Sequence, residues 1–187
     1  MENARARHAE ASGVAQVGII MGSDNDLKVM QEAADVLEKE FGIISHVTAL
    51  SAHRAPEHVA EYGRTAHEKG LQVIIAGAGV AAHLPGVIAA FTPLPVIGVP
   101  IKSSTSGGID SLFAIAQMPP GVPVATVAIN GAKNAGILAA EIIGAGDASV
   151  REKVISFKKK MEGEVVAKAE KIEERGFRKY MEENGLI

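Results

Sequence analysis

The sequence predicts an α/β fold: a doubly wound, five-stranded parallel sheet followed by a C-terminal helical extension. Three observations lead there. Short apolar runs alternate with helical patterns five times, and parallel neighbouring strands need crossover helices. The runs read as continuous apolar stretches, as strands covered on both faces do. From Ser149 onward the composition turns to Lys and Glu around a single apolar stripe.

Residues 17–21 make the first strand, ended by Gly22-Ser23-Asp24-Asn25-Asp26, after which Leu27, Met30, Ala33, Ala34 and Leu37 fall at helical spacing. Residues 43–50 make the second strand, and 56–69 a helix closed by Gly70. The third strand, 73–76, runs into Gly77-Ala78-Gly79 and then an apolar helix near 87–91. The fourth, 96–99, is followed by Pro100 and the Ser/Gly-rich residues 103–108. A helix over 111–117 stops at Met118-Pro119-Pro120-Gly121; 124–129 is the fifth strand and 132–143 its helix. In the tail, Ser149 and Glu152 have capping-box spacing, and Val150, Val154, Phe157, Met161 and Val165 recur at steps of three and four. Gly163 weakens that helix, Gly176 ends it, and Lys158-Lys159-Lys160 reads as its solvated face. The expected organisation is a flexible segment over 1–15, an α/β domain over 16–146 and an extension over 147–187 whose stripe packs on a neighbouring subunit.

Composition narrows the function. With 47% hydrophobic residues in 187 the chain can bury a real core, and a net charge of −3 gives no field that would gather nucleic acid. There is no cysteine, hence no disulfide or thiolate chemistry. Residues 1–12 are polar and do not read as a signal peptide, and no apolar run reaches the roughly 20 residues of a membrane helix. The expectation is a cytoplasmic protein with no membrane or nucleic-acid partner.

In doubly wound sheets ligands bind beyond the carboxyl ends of the strands. Four such ends here carry unusual residues, which points to a small-molecule site on one rim. Ser51-Ala52-His53-Arg54 packs a hydroxyl, a proton-transfer group and a fixed cation into four residues, where a helix cap alone would need only the serine. Ser23, Asn25, Ser51 and Arg54 suit a phosphate, with backbone N–H groups free at a helix start; Asp26 suits sugar hydroxyls. Gly77, Ala78 and Gly79 let backbone approach a flat ligand closely. His53 and His83 lie in rim loops, and a positioned histidine can move a proton in either direction. The six histidines lack metal-ligand spacing, so no metal is expected. Residues 77–82 satisfy the Gly-x-Gly-x-x-Ala dinucleotide pattern, yet Pro85 interrupts the helix it needs and no acid for a ribose follows the fourth strand. A response-regulator reading fails because the third strand ends in Gly77 instead of an aspartate. These residues lead to a phosphorylated, ribose-bearing molecule acted on by a histidine.

Gly22-Ser23-Asp24-Asn25-Asp26, Ser51-Ala52-His53-Arg54, Ala76-Gly77-Ala78-Gly79, Ala81-Ala82-His83-Leu84-Pro85-Gly86, Gly108-Ile109-Asp110-Ser111-Leu112 and Gln117-Met118-Pro119 together resemble the PurE family, the N5-carboxyaminoimidazole ribonucleotide mutases of purine biosynthesis. The resemblance runs from about residue 17 to 143. It implies a three-layer α/β/α flavodoxin-like domain, a homo-octamer with sites between subunits, and conversion of N5-carboxyaminoimidazole ribonucleotide to 4-carboxy-5-aminoimidazole ribonucleotide without metal or cofactor. It also implies that His53 is catalytic, that Ser23, Asp26 and Arg54 bind substrate, and that His83 is a second active-site histidine. Asn25, Ala55 and Val80 stand where the family usually has serine, threonine and glycine, and residues 130–134 form a shorter segment than in many relatives. A direct aminoimidazole ribonucleotide carboxylase is the rival within the family, against which Arg54 and His83 count; a non-catalytic nucleotide-binding module is the rival from another class.

Overall fold

The computed structural model describes residues 14–187. Most of the expected flexible segment, residues 1–13, therefore lies outside the described residues. Strands β1 (Val17–Met21), β2 (Ser45–Ala49), β3 (Val73–Gly79), β4 (Val96–Ile101) and β5 (Ala125–Thr126) form one parallel sheet in the order β2-β1-β3-β4-β5. Helices α1 (Leu27–Val36), α2 (Pro56–Thr65), α3 (Leu84–Phe91), α4 (Ile109–Ala116) and α5 (Ala132–Gly146) follow the strands in turn; α6 (Ala148–Arg175) and α7 (Phe177–Glu183) close the chain. This is the flavodoxin-like order, and its reversal point lies between β1 and β3.

Side-chain alternation sorts the helices into two layers. Val17, Ile19 and Met21 of β1, with Val73 and Ile75 of β3, bury against α1 and α5. Ile20, Ile74 and Ala76 point the other way, against α2, α3 and α4. Gly136 of α5 lets α1 close on it, since a Cβ there would lie 2.8 Å from the Ala33 carbonyl oxygen.

Several expectations need correction. The second strand is shorter than residues 43–50 and is an edge with one neighbouring strand, and His46 and Val47, on its opposite faces, are both exposed. The fifth strand keeps only two ladder residues of the six expected. Val127 N–H still donates to Gly98 O, but the next rung would need an N–H from Pro100, which has none. Helix α3 starts at Leu84, with Pro85 in its first turn, where a missing N–H costs nothing. Helix α6 is capped by Asp147, whose carboxylate accepts from the N–H of Ser149 and Val150; Ser149 spends its hydroxyl on the same carboxylate, so Ser149 and Glu152 form no capping box. Of the tail stripe, Val150, Val154 and Phe157 are buried, whereas Met161 and Val165 are exposed. Gly163 does not break α6, and Gly176, at φ +75°, ends it. The lysine run is only partly free: Lys158 pairs with Glu141 at 2.6 Å and Lys160 with Glu40 at 3.0 Å.

Candidate active site

At the end of β1, Ser23 and Asp26 cap each other across a 3₁₀ turn, Asp24–Asp26. Ser23 Oγ accepts from Asn25 N–H at 3.2 Å, and Asp26 Oδ2 accepts from Ser23 N–H at 3.1 Å. Half-burial pushes the Asp26 carboxyl above its usual 3.8, against the lowering effect of the Ser23 bond and with a small further push from Asp24.

The β2 loop is tied to this turn. Ser51 Oγ accepts from Arg54 N–H at 3.3 Å, and the Arg54 guanidinium donates to Gly22 O at 3.4 Å. Pro56 then opens α2. This geometry aims His53 at His83, which sits just ahead of α3: His53 Nε2 lies 2.9 Å from His83 Nδ1, with the rings nearly perpendicular at 83°. Neither nitrogen can accept while it carries a proton, so one of the two donates and the other is bare. Both rings are exposed, within reach of a ligand.

A cavity of about 540 Å³ joins these parts, the size of a small-molecule site. It is lined by Ser23, Asn25, Asp26, Ser51, His53, Arg54, Ala78 and Gly79 of the expected residues. Gly77 does not line it: a Cβ there would meet Met30 Sδ at 2.4 Å, so this glycine makes room for the core under the opposite face. His83 enters through its contact with His53 and is not a wall residue. Residues 103–108 also stay out of the wall, and the serines fold the segment on itself. Ser103 Oγ donates to Asp110 Oδ1 at 3.0 Å and accepts from Ser106 N–H. Asp110 is held below 3.8 chiefly by its bond with Ser106.

Sequence reasoning did not assign Gly22, Ala52, Ala81, Leu84, Ile101 and Lys102 to the wall, which they line together with Val80. Lys102 had a usable signal, since it is the first charged residue beyond the fourth strand. Its backbone is fixed by a bond from its N–H to Asn130 Oδ1 at 2.9 Å. Among the described residues, no three His, Asp or Glu side chains are grouped so as to hold a metal ion.

Residues 16–164 match the family model described as AIR carboxylase. The chain belongs to the AIR carboxylase family. Within it, the chain is 58% identical over 166 residues to the N5-carboxyaminoimidazole ribonucleotide mutase of Thermotoga maritima, covering 89% of this chain and 96% of that one. It is 55% identical over 166 residues to the phosphoribosylaminoimidazole carboxylase of Saccharomyces cerevisiae, covering 89% of this chain but 29% of that longer protein. The crystal structure of PurE from Treponema denticola superposes with a TM-score of 0.76 at 28% identity, over 84% of this chain and 98% of that one. The AIR carboxylase match spans every element that contributes to the cavity wall, from β1 to β4.

Proposed function

We propose that this protein is an N5-carboxyaminoimidazole ribonucleotide mutase of purine biosynthesis, moving a carboxyl group from the exocyclic nitrogen to C4 of the imidazole. The observation that carries the reading is the His53–His83 pair, with His53 in the wall of a cavity that Ser23, Asn25, Ser51 and Arg54 also line. Kinship supports it: mutases from Thermotoga maritima, Pyrococcus horikoshii and Synechocystis match at 58%, 56% and 53% identity over nearly their whole lengths.

The phosphate sits against Ser23, Asn25, Ser51 and Arg54, and the ribose hydroxyls against Asp26. His53 protonates the carbamate nitrogen, and the N–C bond breaks with its electron pair going to that nitrogen. CO2 stays in the pocket walled by residues 78–81. C4 attacks it, forming the new C–C bond, and His53 takes the C4 proton, returning to its starting state. Holding CO2 beside C4 replaces a dilute encounter with an intramolecular one. His83 orients the His53 ring and relays its proton.

Purified protein mixed with N5-carboxyaminoimidazole ribonucleotide and labelled bicarbonate, without ATP, is expected to give unlabelled product rapidly. Labelled product from aminoimidazole ribonucleotide would establish the direct carboxylase instead; binding with no product from either compound would leave a binding module. His53→Asn is expected to abolish turnover and keep ligand binding, and substantial residual activity would remove His53 from the proton path.

The same reading extends to assembly: a cytoplasmic homo-octamer in which the extension packs on a neighbour. Ile109 and Phe113 on α4 are 48% and 55% exposed, and Val165 on α6 is 66% exposed, apolar surface of the kind that subunits cover. Light scattering is expected to give eight times the chain mass of 19.4 kDa.

A further inference from the structure

The ladder between β3 and β4 stops one rung early, and the missing rung is occupied by a side chain. Ile74 N–H donates to Pro95 O, and steps of two along both strands bring Val80 N–H opposite Ile101 O. That bond is not made. The Ser111 hydroxyl stands between the two, accepting from Val80 N–H at 2.9 Å and donating to Ile101 O at 2.9 Å. Ser111 is fully buried. Val80 is 60% exposed and lies in the left-handed region at φ +57°, which a β-branched residue avoids without an anchor. The chain then turns tightly twice, Ala82 N–H to Val80 O and His83 N–H to Ala81 O, and delivers His83 to His53.

We infer that Ser111 is a positioning residue for the active site: its hydroxyl, wedged into the sheet, holds Val80 left-handed and thereby sets both the 78–81 wall and the His83 ring. It touches no reacting atom. Its effect is on how well the wall confines CO2, so the inference rests on the reaction proposed above. When the wall loosens, the protonated carbamate still splits into aminoimidazole ribonucleotide and CO2, but CO2 escapes before C4 attacks.

Three measurements test it. With N5-carboxyaminoimidazole ribonucleotide as substrate, Ser111→Ala is expected to lower kcat/KM roughly tenfold or more. It should also raise the share of aminoimidazole ribonucleotide among the products, after correction for spontaneous carbamate loss. An unchanged product ratio beside a lowered unfolding temperature would reduce Ser111 to a structural role and overturn the inference. Val80→Gly removes the backbone strain, so adding Ser111→Ala in that background is expected to cost less than about twofold. An equal loss in both backgrounds would overturn it too. Ser111→Cys keeps a side-chain group in the wedge, weakens both of its bonds and covers the case in which alanine does not fold. Amide hydrogen exchange in the ligand-free protein reads the same contact without any reaction. The Val80 amide is expected to be protected in the wild type and unprotected in the serine variants; protection that survives them would end the proposal even if the mutase reading failed.

Discussion

One short contact, between His53 Nε2 and His83 Nδ1, holds a single proton between two bases. Asp26, in the wall of the same cavity, is held in a state that costs stability. Its carboxyl lies above 3.8 in the fold, so its stabilising contribution is complete below pH 3.8 and lost as pH rises through the higher folded value. At neutral pH the half-buried carboxylate costs stability. Asp26→Asn keeps an oxygen to accept from Ser23 N–H and is expected to raise the unfolding temperature at pH 7, with the gain shrinking as pH falls toward 3.8. Its KM should rise through loss of the ribose contact; thermal melts and initial rates on one preparation check both. At this scale the residues with a charge or a ring were legible, because chemistry at a strand end has few structural excuses. Gly77 was not. Whether a strand residue faces ligand or core depends on register, which Met30 reveals only from another element.

Elements explain where local patterns misled. The expected capping box at Ser149 was outranked by Asp147, two residues earlier, whose carboxylate accepts from the N–H of Ser149 and Val150 and takes up the Ser149 hydroxyl as well. The fifth strand was cut short by a proline in its neighbour, a signal that appears only once the two strands are known to pair. Helix α2 holds an oddity of its own. Tyr62 OH is buried against Gly18, whose Cβ, if present, would lie 2.2 Å from it, and among the described residues it has no hydrogen-bond partner. Burial pushes its pKa to about 12, so it stays protonated. An unsatisfied buried hydroxyl costs about 1 to 3 kcal/mol, and Tyr62→Phe is expected to stabilise the protein by a good part of that. Denaturant midpoints measured at constant m-value check it; a drop in stability would mean that the hydroxyl has a partner.

Across the whole molecule the doubly wound parallel sheet and a cavity on the rim beyond its strand ends were legible, since alternating apolar runs and helices leave few ways to cover a parallel sheet. The fate of the tail was not, because three of the five stripe residues are satisfied inside the chain. Val150, Val154 and Phe157 dock on α5 and on the π-helical turn Leu37–Phe41, where Phe41 and Phe157 meet edge to face at 5.3 Å. Beyond Lys160, whose ammonium pairs with Glu40, every residue of the helix is exposed. Removing residues 162–187 is therefore expected to leave the unfolding temperature of the α/β domain nearly unchanged while lowering the assembled mass. Calorimetry and light scattering together separate the two effects.

The attachment of α6 has a second consequence. Apart from its three buried side chains, it is fastened by cationic groups: Lys158 on Glu141, Lys160 on Glu40, Lys153 on the Phe41 carbonyl at 2.7 Å, and Arg151 on the Gly144 carbonyl at 3.0 Å. The two ion pairs are largely exposed, so mobile counter-ions weaken them once the screening length falls to about 3 Å near 1 M salt, while the apolar sheet core is indifferent to it. The protein thus has one rigid part and one that loosens with ionic strength, and the joint between them lies on the α1 and α5 side of the sheet.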